Sequence, residues 1–199
     1  MMATNLLQKE TEELKVLLDH EGYDYRDGAD PEILDSLKRE GLPAPYRRFL
    51  TQLDPGDAAW RIGGQFTVML HSADEITDWQ SDARSPEQFV IGTLNGQTLV
   101  LTRGEDGDTP VYRLDEDGGL VCVASSLVQF LRILRTGLEM LAKLADYDEE
   151  AEEAGDDGYD DVNDYEEGAF ASGREDLLND YLEELESIDP DCVEAWTAV

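Results

Sequence analysis

FVIGTLNGQTLVLTRGEDGDTPVYRLDEDGGLVCVASSLVQFLRIL, residues 89–134, is the stretch whose reading decides the fold. Thr98-Leu99-Val100-Leu101-Thr102 and Pro110-Val111-Tyr112-Arg113-Leu114 are short, β-prone runs. Turn signals flank them: Asn95-Gly96 before, Gly104 to Asp108 between, and Asp115 to Gly119 after. Ser125 or Ser126 then offers an N-cap, and Leu127, Phe130, Leu131, Leu134 and Leu138 recur at helical spacing. A run of strands that closes into one apolar helical stripe is an α+β core unit, in which the helix returns onto the sheet. The stretch holds no obvious catalytic side chain, which points to binding rather than catalysis.

The segments before it supply helices. Leu7, Leu14, Leu17 and Leu18 make an amphipathic helix over Asn5 to His20, ended by Gly22. Asp30-Pro31 sets a cap before a proline at the first helical position, with Ile33, Leu34 and Leu37 as the buried stripe. Pro43 opens a third helix with Tyr46, Phe49, Leu50 and Leu53 inward. Trp60 to Leu70 reads as two strands broken at Gly63-Gly64. Ser72 to Trp79 reads as a short helix capped by Ser72, with Glu75 at the capping-box position.

Charge is extreme and uneven. The 199 residues carry 47 acids and 15 bases, a formal net of −32. Residues 1–145 hold 25 acids and 14 bases, whereas residues 146–199 hold 22 acids and one base, Arg174. Nucleic acid and anionic membranes would be repelled over long range, so a basic protein is the natural partner. The last core helix is expected to end near Ala145. Residues 146–167 then place 13 acids in 22 positions, and like charge at that density opposes compaction, so an exposed, mobile segment is expected. Ser172-Gly173-Arg174-Glu175 matches a capping box, opening a helix that carries Leu177, Leu178, Tyr181, Leu182 and Leu185 back onto the fold. Neither a leader-like apolar segment nor a run of about 20 apolar residues is present, and Cys122 and Cys192 read as separate reduced thiols. A cytoplasmic location is the expectation.

Several segments together resemble one family. Leu42-Pro43-Ala44-Pro45-Tyr46-Arg47-Arg48-Phe49-Leu50 resembles the "LP-x-x-Y-x-x-F-L" helix opening of the SUKH superfamily of immunity and regulatory proteins. Asp74-Glu75-Ile76 with Trp79 resembles its "E-E-I-x-x-W" element. Phe89 to Gly92, the following strands and Val123 to Leu131 follow its "F-I-x-I-G … V-A-x-S-F-x-x-F-L" order. The similarity covers about residues 30–137, with a looser match in the tail from Leu185 to Trp196. Its usual "N-G-G" is absent; Asp54-Pro55-Gly56-Asp57 and later Gly63-Gly64 stand there instead. The resemblance implies an α+β fold, with an antiparallel-rich sheet packed against N-terminal and C-terminal helices. In bacterial members it implies a binder that neutralises a toxin, often a nuclease, without a catalytic centre. The expected organisation is a SUKH-like core over 1–145, a flexible acidic insertion over 146–171 and a C-terminal helix over 172–199.

Candidate chemistry is sparse. His20 lies near a helix C-terminus, where a cation meets the dipole favourably, and His71 at a strand-to-helix junction is expected to make a local hydrogen bond. Asp106-Gly107-Asp108 and Asp115-Glu116-Asp117-Gly118 lack the register and distal glutamate of a calcium loop, so they read as turns. No catalytic, cofactor-binding or metal-binding residue is assigned, and no cofactor is expected. The residues expected to meet a basic toxin or effector are Glu105, Asp106, Asp108, Asp115, Glu116 and Asp117, in two hairpin loops. The competing expectation is a non-enzymatic regulatory scaffold that recruits partners through the acidic segment.

Overall fold

A computed structural model describes residues 2–63, 65–102, 109–155 and 164–196. Six strands run β1 (Ala59–Ile62), β2 (Phe66–Leu70), β3 (Gln88–Leu94), β4 (Gln97–Thr102), β5 (Val111–Leu114) and β6 (Leu120–Ala124). They form one antiparallel meander in sequence order. Helices α1 (Met2–His20), α2 (Pro31–Arg39) and α3 (Ala44–Leu50) precede the sheet; α4 (Leu127–Gly155) and α5 (Asp164–Ile188) follow it. The α+β class is as expected.

Alternation sorts the strand residues onto two faces. Val68, Leu70, Phe89, Ile91, Leu99, Leu101, Val111 and Val123 join apolar residues of all five helices in one buried core. Within it Phe49 packs beside Tyr46, ring centroids 5.4 Å apart, and Phe130 and Leu134 are fully buried on α4. The Asn95-Gly96 pair has φ of +50° and +79°, the geometry of a tight hairpin turn between β3 and β4. Asn95 also exchanges bonds with β2, its amide donating to Thr67 O and its Oδ1 accepting from Thr67 N, both at 2.8 Å. At the bulge between Val90 and Gly92 a side chain would overlap the Met69 carbonyl of β2, so only glycine lets these strands approach.

Three expectations are corrected. Ser72 does not cap a helix: a turn leads into a 3-10 helix over Asp78–Asp82. The Ser72 and Ala73 amides instead donate to the Asp57 and Asp54 carboxylates, at 3.0 and 3.1 Å. Those aspartates, in the DPGD that replaces the family's NGG, take the capping role from a distance. Second, α4 does not stop near Ala145 but runs to Gly155, and α5 begins at Asp164, before the expected cap at Ser172. The two helices meet at Tyr147 beside Gly173, and Arg174 pairs with Asp148 at 3.1 Å. Tertiary contact thus outweighs like-charge repulsion along those turns; residues 156–163 of the acidic segment lie outside the described residues. Third, Cys122 and Cys192 are joined in a disulfide, their Cα atoms 5.0 Å apart. It fastens the end of the chain to β6, where Trp196 also donates to Val123 O at 2.9 Å. Of the two serines expected to cap α4, Ser126 does so, accepting from Gln129 N at 3.2 Å. The Ser125 amide donates to Asp189 at 2.6 Å, which sets a carboxylate at the positive end of the α4 dipole.

Candidate partner-binding face

The second face of the sheet is covered lightly. Val90, Val100 and Leu114 form a small cluster there with Ala83 and Tyr112, apart from the main core. Their cover is the segment leading from the 3-10 helix into β3. Gln80 staples it down: its side-chain amide donates to Val90 O at 2.9 Å while its Oε1 accepts from Val90 N at 3.1 Å. On this face Leu114 of β5 pairs across to Leu120 of β6, an exposed leucine.

Two clefts flank that segment. One, of about 390 Å³, has an apolar floor of Leu37, Leu42, Ile76 and Phe89, with Glu40 and Arg84 at its sides. The other, of about 360 Å³, is bounded by Asp82, Arg84, Thr98, Leu114, Asp115 and Glu116. Arg84 stands between them, its guanidinium lying over Gly118 in the β5–β6 turn. The result is a partly apolar surface with an acidic rim, and Arg84 stands within it.

The structure places the six expected acids unequally. Glu105, Asp106 and Asp108 lie outside the described residues. Asp115 is a turn-former: its side chain accepts from the Gly119 amide, and its backbone N–H and C=O bond Gly119 and Gly118, each at 3.1 Å. Glu116 and Asp117 are exposed, and Glu116 lines the second cleft. Because β5 is only four residues long, the β4–β5 and β5–β6 connections lie at opposite ends of one short strand.

A polar network braces the neighbouring corner. The buried Asp54 carboxylate accepts from Ala73 N at 3.1 Å and Gly56 N at 3.4 Å, with Arg26 at 3.6 Å; its burial raises its pKa above the ordinary carboxylate value. Arg26 reaches on to Asp74 at 2.9 Å. His71 is buried, its side chain 2 % exposed, and its backbone amide donates to Ile91 O at 2.8 Å. Its Nδ1 faces Asp57 at 3.6 Å, its Nε2 has no partner, and its ring stacks on Trp79. Burial pushes the imidazole below its ordinary pKa, against the pull of Asp57, so it is held neutral. His20 sits at the end of α1, as expected, within 2.9 Å of Glu21. Sequence reasoning took Trp79 only as a fold determinant and missed its exposure; the signal was a tryptophan between two aspartates, Asp78 and Asp82, in a short helix.

Family comparison decides what such a face belongs to. The model of the SUKH-4 immunity protein family matches residues 26–198. The chain belongs to the SUKH-4 immunity protein family. No curated protein matches it. The SUKH-4 match begins at residue 26, after α1. Among the described residues no helix is long and apolar enough to cross a membrane.

Proposed function

We propose that this SUKH-4 protein neutralises a basic toxin, a nuclease being the leading candidate, by seating it on the lightly covered sheet face. The observation that carries the reading is the combination on that face of exposed Leu120 and an acid-rimmed cleft, with a second, apolar-floored cleft beside it, in a chain of net charge −32. The apolar centre would supply most of the affinity, and the rim would speed encounter with a positive partner. Glu116 and Asp117 are the described acids proposed to contact it; Glu105, Asp106 and Asp108 are proposed from sequence alone. Blocking by occupancy needs no catalytic group, and none is proposed. Nucleic acid remains a poor partner because the same charge repels it.

The cytoplasm, where a host must be protected, is the proposed location. The acidic stretch that joins α4 to α5 is proposed as an accessory to the core.

Co-expression tests the reading. The toxin encoded beside this gene should arrest growth, and the chain should restore it. Leu120→Glu, or Glu116→Lys with Asp117→Lys, should abolish protection without unfolding the protein. Full protection by both variants would remove this face from the mechanism.

A further inference from the structure

Of the three tryptophans, Trp60 and Trp196 are buried and Trp79 is 40 % exposed. A large aromatic left in water on a soluble surface is an informative exception, and tryptophan is enriched among residues that dominate binding energy. Trp79 is also held still. Its ring lies parallel to that of His71, planes 3° apart and centroids 4.5 Å apart, so one face is covered by a buried side chain. His71 is itself fixed at the end of β2, its amide donating to Ile91 O at 2.8 Å. On the same short helix, Gln80 is clamped to β3 through Val90. An aromatic plane fixed before binding loses little entropy when it is covered.

The charges around it have one sign. Asp74, Glu75, Asp78 and Asp82 are exposed acids of the same turn and helix. Asp74 is paired with Arg26, whereas Glu75, Asp78 and Asp82 join no ion pair among the described residues. Glu75 and Asp82 act electrostatically on the His71 ring against which the indole stacks. An aromatic face in a negative field suits a cation, and a planar one best, because guanidinium stacks flat while its edge remains free to pair with a carboxylate.

We propose that Trp79 is the anchor for an arginine side chain of the protein partner, stacked on the open indole face and paired with Glu75 or Asp82. This rests on the basic-partner reading above. It adds the point of attachment and the residue type.

The test uses the full chain with octa-arginine, octa-lysine and octa-citrulline peptides. Acrylamide quenching of tryptophan emission reports chiefly on Trp79, since the other two indoles are buried. Octa-arginine should shield Trp79 from acrylamide. Trp79→Leu should weaken its affinity about tenfold, as should Glu75→Gln combined with Asp82→Asn, while Trp79→Tyr should retain most of it. Octa-lysine should bind more weakly and respond little to Trp79→Leu. Equal affinity of octa-arginine for wild type and Trp79→Leu would overturn the anchor and leave a basic partner standing. If octa-arginine binds the wild type no better than octa-citrulline does, the basic-partner reading falls with it.

Discussion

Glu10 offers a sharp test of how α1 is held. Its carboxylate is 2 % exposed beneath α4, 2.8 Å from Arg132 Nε and 3.7 Å from Arg135 Nε. The arginine side chains keep 31 % and 28 % exposure, and Arg135 also reaches Glu139 at 3.2 Å and Glu13 at 3.6 Å. The partners are therefore unequal. Removing the acid leaves two cations with water and other carboxylates; removing the cations leaves a carboxylate buried alone. A one-sided break that strands a buried ion costs about 3–5 kcal/mol, and less where the ion left behind still reaches water. Glu10→Met should thus cost about 1–2 kcal/mol, and Arg132→Ala with Arg135→Ala about 3–5 kcal/mol. Urea unfolding followed by circular dichroism measures both. Similar losses for the two variants, or a larger loss for Glu10→Met, would refute the asymmetry.

Three further outcomes follow from the packing. The disulfide spans 70 residues, so reduction, or Cys122→Ser with Cys192→Ser, should lower stability by about 2–4 kcal/mol, and a melting temperature unmoved by dithiothreitol would contradict the pairing. Phe130→Ala should cost about 3–5 kcal/mol, as should Phe49→Ala, because each ring is fully buried; wild-type melting of either variant would sink the packing claim. Burial holds His71 below its ordinary value of 6.5, so the unfolded chain takes up this proton first on acidification. The stability it contributes is present above that pH and lost below it. His71→Gln should flatten the decline between about pH 7.5 and 5 relative to wild type, and parallel curves would show that His71 is not titrating as described.

Most of the fold was legible because apolar period and turn chemistry coincide in this chain. Asn95-Gly96 marks its hairpin, Asp30-Pro31 opens α2, and Leu127 to Leu138 is a helical stripe that meets a sheet. What escaped depends on contacts between distant residues. Ser72 looks like a cap because the pattern is local; Asp54 and Asp57 supplied the acceptors from the preceding turn and strand entry. Ala145 looks like a helix end because the charge density rises there, yet Tyr147 packs beside Gly173 and Arg174 reaches Asp148. Cys122 and Cys192 carry no spacing signal, and only the returning tail brings them together. At the site, sequence pointed to acids in turns. It could not show that Asp115 bonds its own turn, nor that Trp79 lies stacked on His71 and part-exposed in a turn rich in acids.

Hydrogen exchange of the chain alone and bound to its cognate toxin tests the central claim most directly. If the toxin sits on the lightly covered face, protection should appear across residues 78–90 and 112–122 and leave α1 unchanged. Protection confined to α1 and the α4–α5 pair, with those two stretches unaltered, would contradict the account.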